Sequence, residues 1–307
     1  MRILLTGGSG AIGSFVADEL FVRGHDVTVF DIEPPDRELS SFIRGDITEF
    51  DTVSTAVQEV DAVVHLAALL PDACRENPRL AERVNVGGSL NVFEAATDVG
   101  VPVVYASSKA VFGSSRGRHS HPQYEPLGED APKSPNSVYG TTKMAVENYA
   151  NTYYDKGMSG AAVRFASTYG PGKGAAHGDL AYIPNLIRRA AAGETIQIDG
   201  ADQRNDLVYY GDIANGVAAA VEANARSHTA YHIGSGQAVS LYDFAEVLRR
   251  ETDATIHVNG GLNYRDSDDP SYCRLDISRA RVDLGYDPSY PVDRAVRDFL
   301  DHVSADS

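Results

Sequence analysis

The sequence predicts an α/β fold in which a doubly wound parallel sheet carries a smaller C-terminal cap. Strand-like and helix-like stretches alternate through the first half of the chain, as successive β-α-β units require. The first strand-like stretch runs directly into a glycine-rich turn, and a helix with apolar residues at helical spacing follows. With 307 residues, the chain is long enough for one large domain or two closely joined ones.

The strands predicted in the first half are short apolar runs bounded by turn residues or charges. They cover residues 2–6, 26–30, 41–44, 62–66, 101–106 and 161–165. Apolar residues at helical spacing predict helices at 80–98 and 138–154. The segment 113–135 is rich in Ser, Gly, Pro and His, and it predicts a long surface loop that leads into the second helix.

Beyond about residue 170 the pattern is less regular, and no proline-rich linker divides the chain. The elements predicted there are helices at 183–192, 241–250, 280–284 and 293–303, mixed strand and helix character at 206–221, and a strand at 230–234. Residues 206–221 and 230–234 are expected to rejoin the main sheet. The predicted division is therefore a main domain, residues 1–169 with 205–236, and a cap, residues 170–204 with 237–307.

Composition restricts the partners and the location. Asp and Glu number 43 against 27 Lys and Arg, a net charge of −16, so nucleic acid and anionic membranes are not expected partners. No run approaches the roughly 20 apolar residues that cross a bilayer, and a cytoplasmic location is expected. Cys74 and Cys273 lack metal or redox spacing, and His119 and His121 lack a third ligand, so no metal site is assigned. The acidic, lysine-poor composition suggests stability that rises with molar KCl, although a GC-rich genome would also favour arginine over lysine.

The glycine-rich turn, GGSGAIG at residues 7–13, predicts a binding site for a dinucleotide. Between a strand and a helix, glycines allow positive φ and let backbone N–H groups approach a pyrophosphate at the positive end of the helix. Asp31 ends the next strand, eighteen residues after Gly13, where a carboxylate can accept hydrogen bonds from an adenosine ribose. Because that carboxylate would repel a 2′-phosphate, the sequence favours NAD over NADP.

Tyr139 and Lys143 are four residues apart, so a helix would present them on one face. An ammonium beside a phenol favours the phenolate, and Lys143 is expected to lower the pKa of Tyr139 from its usual value of about 10. Tyr139 is then a candidate proton acceptor for a substrate hydroxyl.

Taken as an ordered set, these motifs resemble the extended short-chain dehydrogenase/reductase family, in particular its NAD-dependent epimerase/dehydratase branch, whose members have a Rossmann fold. The matching runs are TGGSGAIG at 6–13, Asp31, GDI at 45–47, HLAA at 65–68, NVGGSLN at 85–91, SSKAVFG at 107–113, YGTTK at 139–143 and RFASTYGPG at 164–172. The resemblance implies that the main domain binds NAD and that the cap binds the substrate.

The resemblance also implies roles for individual residues. The expected catalytic residues are Ser108, Tyr139 and Lys143. The expected NAD-binding residues are Gly7, Gly10, Ala11, Ile12, Gly13, Asp31, Ile32, Asp46, Ile47, Leu66, Ala67, Ala68, Asn85, Tyr139, Lys143 and Phe165. The expected substrate-binding residues are Ser108, Ser167, Arg204 and Arg265. The resemblance further implies a homodimer in which the helices predicted at 80–98 and 138–154 pair across the interface.

By this resemblance the expected reaction is 4-epimerisation of a sugar nucleotide of the UDP-glucose/UDP-galactose type. A dehydratase would need the acidic pair that follows the serine in that subfamily, and Lys109 and Ala110 stand there instead. Asn205 replaces the usual diphosphate-binding arginine and Ser167 the usual asparagine. These departures leave open an NAD-dependent dehydrogenase of a smaller polyol, sugar acid or amino alcohol. A non-enzymatic NAD-binding protein is the third alternative, and the intact Ser108, Tyr139 and Lys143 argue against it.

Overall fold

The strands predicted in the first half assemble into a parallel sheet. The computed structural model describes residues 1–35, 41–114, 117–172, 182–262 and 273–305. Its strands are β1 (Arg2–Thr6), β2 (Asp26–Asp31), β3 (Ser41–Arg44), β4 (Ala62–His65), β5 (Val103–Ser108), β6 (Gly160–Phe165), β7 (Ser167–Tyr169), β8 (Thr195–Ile198), β9 (Arg204–Asn205), β10 (Leu207–Tyr209), β11 (Ala230–Ile233), β12 (Val239–Ser240) and β13 (Thr255–Val258). Within those ranges the main sheet has seven parallel strands in the order β3-β2-β1-β4-β5-β6-β11. The order reverses between β1 and β4, and ligands of such sheets bind at the carboxyl edge beside that point.

Helices cover both faces of the sheet and build the C-terminal region. They are α1 (Ala11–Val22), α2 (Phe50–Ala56), α3 (Pro71–Glu76), α4 (Pro78–Ala81), α5 (Ser89–Val99), α6 (Val138–Tyr154), α7 (Tyr182–Ala191), α8 (Tyr210–Glu222), α9 (Leu241–Glu251) and α10 (Val292–Ala305). π-helical segments occur at Glu82–Gly88 and Ala280–Leu284. The helix predicted at 80–98 is therefore interrupted, because the segment Glu82–Gly88 links α4 to α5 with wider turns.

Three apolar clusters stabilise the chain. One packs α1 and α8 against one face of the main sheet, with Leu20 fully buried. The second packs α2, α5 and α6 against the opposite face, with Val92 fully buried. The third lies among α7, α9, α10, β8 and β13 around the buried Phe244. The short strands β7, β8, β9, β12 and β13 were not predicted from the sequence. Each has only two to four residues, too few to show a periodic pattern of apolar side chains.

Two features of the described ranges bear on membranes and metals. No helix there is long and apolar enough to cross a membrane. Nor do any three His, Cys, Asp or Glu side chains there lie together as metal ligands would. The domain boundaries inferred from the sequence stay a prediction.

Candidate active site

The glycine-rich turn joins β1 to α1 at the carboxyl edge of the sheet. Gly7 has a φ of +74°, and a Cβ there would lie 2.6 Å from the backbone nitrogen of Ala67. A Cβ on Gly13 would lie 2.1 Å from the carbonyl oxygen of Gly7. Both positions therefore require glycine, and the first turn of α1, with Ala11 and Ile12, begins without a side-chain cap after Gly10. This cradle fits a dinucleotide phosphate, which backbone N–H groups at a helix N-terminus can bind.

Asp31 lies at the end of β2 and contacts the glycine-rich turn directly. Its Oδ2 accepts a hydrogen bond from the backbone N–H of Ser9 at 3.0 Å. The next residue, Ile32, is exposed, so its side chain is free to contact an adenosine. Arg44, which received no role from the sequence, pairs with Asp31 in the register of β2 and β3 and donates to the Ile32 carbonyl at 2.8 Å. The structure thus brings the turn and the ribose-binding candidate together.

A cavity of about 360 Å³ lies beside Asp46 and is lined also by Thr48, Glu49, Arg83, Gly87 and Asn91. Ile47 is buried beneath it, and its carbonyl accepts from Asn91 Nδ2 at 2.9 Å. The adenine expected at Asp46 and Ile47 would lie at this cavity, and its assignment stays a prediction. Arg83 and Asn91 received no role from the sequence, although Asn91 closes one of the matching motifs.

The catalytic candidates converge at the carboxyl end of β5. Ser108 ends that strand, and Tyr139 and Lys143 lie on the first turns of α6. The Ser108 side chain lies close enough to the phenol of Tyr139 to act on its pKa. Lys143 Nζ lies 5.7 Å from the centre of the Tyr139 ring and donates to the Ala106 carbonyl at 3.0 Å. Phe165 pairs with Ser108 in the sheet register, so it borders the same site.

The pKa values of this cluster differ from the sequence expectation. Burial raises the pKa of Tyr139, with a further contribution from Cys74, and the hydrogen bond from Ser108 opposes them only in part. Burial lowers the pKa of Lys143 to about 8. The prediction of a lowered Tyr139 pKa is therefore wrong for the polypeptide alone, because loss of solvation is the largest influence on the phenol. Added positive charge beside the phenol would favour the phenolate.

Asn85 connects the loop after β4 to α6. Its Oδ1 accepts from the Leu69 N–H at 2.7 Å, and its Nδ2 donates to the Leu69 carbonyl at 3.1 Å and to Thr142 Oγ1 at 3.2 Å. The thiol of Cys74 is a fourth partner, 3.5 Å from Nδ2. Asn85 thus holds this loop, which begins with Leu66, Ala67 and Ala68, against the helix that carries Tyr139. The proximity of buried Cys74 to Lys143 has no signal in the sequence spacing.

A buried ion pair between Glu147 and Arg164 lies next to the catalytic candidates. Glu147, one turn after Lys143, accepts two hydrogen bonds from Arg164 at 2.8 Å and one from Ser107 Oγ at 2.6 Å. Lys133, from the long loop before α6, contacts the same carboxylate at 2.5 Å. Burial disfavours the carboxylate, but Arg164 outweighs it and lowers the pKa of Glu147. The network joins β5, α6 and the loop, so it positions Ser108 against Tyr139.

The residues expected to bind substrate do not all lie in one site. Asn205 is buried and donates through Nδ2 to Ser167 Oγ at 2.7 Å. Its neighbour Arg204 is exposed, donates to the Ala238 carbonyl at 3.0 Å, and lines a separate cavity of about 360 Å³ with Tyr124 and other residues. Successive residues of a strand point to opposite sides, which separates Arg204 from Ser167. Arg265 lies outside the described residues.

Comparisons with known proteins agree with this architecture. The pattern of the NAD dependent epimerase/dehydratase family matches residues 3–234. UDP-glucuronic acid decarboxylase 1 of Xenopus tropicalis is 29% identical over 306 residues, which are 96% of this chain and 70% of that protein. UDP-glucose 4-epimerase of Corynebacterium glutamicum is 29% identical over 318 residues, 94% of this chain and 92% of that protein. The structure of UDP-glucose 4-epimerase from Thermus thermophilus in complex with NAD superimposes over 100% of both chains with a TM-score of 0.82 and 26% identity.

Proposed function

The chain belongs to the NAD dependent epimerase/dehydratase family, and from that premise we propose that it is a sugar-nucleotide 4-epimerase of the UDP-glucose/UDP-galactose type. It is an NAD-dependent enzyme of the Rossmann fold. The UDP-glucose 4-epimerases among its relatives support this choice of reaction.

When bound, NAD would supply the hydride acceptor for the sugar carbon and the donor for return of the hydride to the other face. Tyr139 accepts the proton of the hydroxyl on that carbon, and it returns the proton when the hydride comes back. Ser108 would orient the reacting hydroxyl by a hydrogen bond of its own, because its side chain lies beside the Tyr139 phenol. Lys143 supplies positive charge beside the phenol, and the charge of the oxidised nicotinamide adds to it.

The observation that carries the proposal is the convergence of Ser108, Tyr139 and Lys143 beside Lys109 and Ala110. The cluster holds the groups that move one proton, and the two residues after Ser108 cannot remove water as an acidic pair would. For a neutral sugar the keto intermediate then has two outcomes, which are return of the hydride or release of the ketone. Return to the opposite face gives the epimer.

The proposal is tested by supplying the enzyme with UDP-galactose and with much less NAD than substrate. We expect UDP-glucose to form over many turnovers without net NADH, and we expect Tyr139→Phe to slow this by about 10²- to 10⁴-fold. Product is measured by chromatography and NADH by its absorbance. Stoichiometric NADH with no epimer would exclude an epimerase.

The second candidate is an NAD-dependent dehydrogenase of a smaller polyol, sugar acid or amino alcohol. Its support is Asn205, a neutral amide bonded to Ser167 where the resemblance implies an arginine for a diphosphate. Net NADH formation from such alcohols, with no response to UDP-sugars, would favour this reading over the first.

We also propose the assembly and the domain roles that the resemblance implies. The third apolar cluster draws most of its residues from 170–204 and 237–307, which supports a cap of those residues that binds substrate. A homodimer would pair α5 and α6 with their counterparts, and Tyr149, which is 46% exposed on α6, supports such an interface. Tyr149→Glu should give a monomer in light scattering, and an unchanged mass would contradict this interface. The cytoplasmic location stays a prediction.

A further inference from the structure

His65 is buried between the glycine-rich turn and the segment that carries Asn85. It ends β4, and the residue is 4% exposed. Its Nδ1 lies 2.7 Å from Thr6 Oγ1 at the end of β1, and its Nε2 lies 2.9 Å from Ser89 Oγ at the start of α5. One imidazole thus joins three elements through both of its nitrogens. We call Thr6, His65 and Ser89 the histidine chain.

The position of each proton in the histidine chain follows from Ser89. Its Oγ lies 2.6 Å from the Asn85 carbonyl oxygen, and because a carbonyl only accepts, the serine hydroxyl must donate to it. The serine oxygen is then left as an acceptor for His65, so Nε2 carries the ring proton. Burial lowers the pKa of His65 to about 3, with a smaller contribution from Lys143. The ring is therefore neutral, and its Nδ1 accepts from the Thr6 hydroxyl.

On its Nδ1 side the histidine chain reaches the cradle expected for the dinucleotide. Thr6 Oγ1 accepts from the backbone N–H of Ala67 at 3.4 Å. Thr6 directly precedes Gly7, and a Cβ on Gly7 would lie 2.6 Å from the same Ala67 nitrogen. The threonine hydroxyl, held by His65, therefore keeps the loop after β4 against the first glycine of the turn.

On its Nε2 side the histidine chain reaches the catalytic helix. Ser89 bonds to the carbonyl of Asn85, which lies in the π-helical segment between α4 and α5. The Asn85 side chain bonds to both backbone groups of Leu69 and to Thr142 Oγ1 on α6. A shift of Asn85 would therefore be transmitted to the helix that carries the proton acceptor.

We propose that His65 is a positioning residue that holds the dinucleotide cradle and the catalytic helix at a fixed separation. Its Nδ1 contact with Thr6 positions the dinucleotide, and its Nε2 contact with Ser89 positions Tyr139 through Asn85. Such alignment matters because hydride transfer needs reacting atoms roughly 3–3.5 Å apart, and a misplacement of about 1 Å can cost about 10²-fold in rate. The effect on turnover rests on the proposed function, whereas the effect on dinucleotide binding does not.

Two amide variants of His65 separate the two contacts. The asparagine amide can occupy the position of Nδ1 and accept from Thr6, whereas the longer glutamine amide can occupy the position of Nε2 and donate to Ser89. The measurements are the Kd of NAD for protein freed of dinucleotide, kcat with UDP-galactose at saturating NAD, and the free energy of unfolding in urea. The exposed His257 on β13 provides the matched controls His257→Asn and His257→Gln.

We expect the two variants to differ in opposite senses. His65→Gln should weaken the binding of NAD about tenfold, the worth of a buried hydrogen bond left unmade, and should lower kcat less than His65→Asn does. His65→Asn should lower kcat about tenfold and weaken the binding of NAD less than His65→Gln does. The His257 variants should change neither quantity.

Variants of the partner residues keep the prediction testable if a His65 variant folds poorly. Thr6→Val should weaken the binding of NAD about tenfold, and Ser89→Ala should lower kcat about tenfold. Adding Thr6→Val to His65→Gln should weaken the binding of NAD little further, because both changes remove the same hydrogen bond.

Nitrogen NMR of the His65 ring is a readout that does not depend on turnover. We expect a neutral ring with its proton on Nε2 throughout the range from about pH 5 to pH 9. A proton on Nδ1, or a titration within that range, would overturn the proposal. So would equal changes in the Kd of NAD and in kcat for His65→Asn and His65→Gln, or no change in either.

The proposed function can fail separately. If wild-type protein forms no epimer, the tyrosinate absorbance of Tyr139 in the presence of NAD replaces kcat as the measure of the Nε2 contact. A signal that is lower in His65→Asn than in His65→Gln would then support the role of His65 while the 4-epimerase proposal is rejected. Equal signals in the two variants would overturn that role.

Discussion

Lys143 carries a charge whose burial costs stability, so its replacement by methionine should make the protein more stable. The side chain is 6% exposed, and burial lowers its pKa from 10.5 to about 8. At about 1.4 kcal/mol per pH unit, this difference corresponds to roughly 3 kcal/mol of destabilisation at pH 7. Methionine has a similar length, and it forgoes the hydrogen bond to Ala106, worth about 1 kcal/mol. The net expectation is a gain of about 2 kcal/mol in the free energy of unfolding.

The gain should depend on pH in a defined direction. Because the pKa of Lys143 is lower in the folded chain, the unfolded chain binds more protons between pH 8 and 10.5. The stability contributed by this site in the wild type therefore rises with pH across that window, and Lys143→Met lacks the rise. The advantage of the variant should be full at pH 7 and should shrink toward pH 10.

Urea unfolding of protein freed of dinucleotide, at pH 7 and pH 10 and constant KCl, measures both quantities. Lys156→Met is the control, because this lysine is exposed and loss of its contact with the Tyr153 ring should lower stability by at most about 1 kcal/mol at both pH values. A Lys143→Met protein that is less stable than wild type at pH 7 would refute the reasoning. So would an advantage that is equal at both pH values.

Three further predictions concern the cofactor, the buried ion pair and the surface. Asp31→Asn should weaken the binding of NAD about tenfold and reduce the preference for NAD over NADP, because the carboxylate that accepts from Ser9 would also repel a 2′-phosphate. An unchanged ratio of the two dissociation constants in calorimetry would contradict this. Glu147→Gln should lower the free energy of unfolding by about 3 kcal/mol, because Arg164 then lacks its charged partner in the interior; a loss below about 1 kcal/mol in urea unfolding would count against it. Raising KCl to about 1 M should raise Tm, because salt screens the self-repulsion of a net charge of −16; a Tm that does not move would remove this expectation.

Local periodicity and motif spacing predicted the main sheet and the position of the cofactor cradle. β1, the glycine-rich turn and α1 follow one another directly, so their geometry is encoded within about twenty residues. The placement of Tyr139 and Lys143 on one face of α6 was likewise predicted from their spacing of four residues. Most predicted elements differ from the observed ones by at most two residues at either end.

Contacts between distant segments could not be predicted in this way. The approach of Cys74 to Lys143 depends on the path of the loop after β4, which Asn85 determines through its hydrogen bonds. The contact of Lys109 with Asn205 joins residues 96 positions apart. The predicted direction of the Tyr139 pKa shift was wrong for a related reason. Residue spacing indicates a neighbouring charge, but it does not indicate how much solvent the hydroxyl loses on folding.

The central claim is that Tyr139 becomes a proton acceptor when NAD adds positive charge to that of Lys143. The ultraviolet absorbance of tyrosinate tests it most directly, as the difference between wild type and Tyr139→Phe during titration with NAD and with NADH at about pH 8. We expect a tyrosinate signal that appears with NAD, is absent with NADH and in Tyr139→Phe, and is reduced in Lys143→Met. A signal that NAD does not induce, or that persists in Tyr139→Phe, would contradict it.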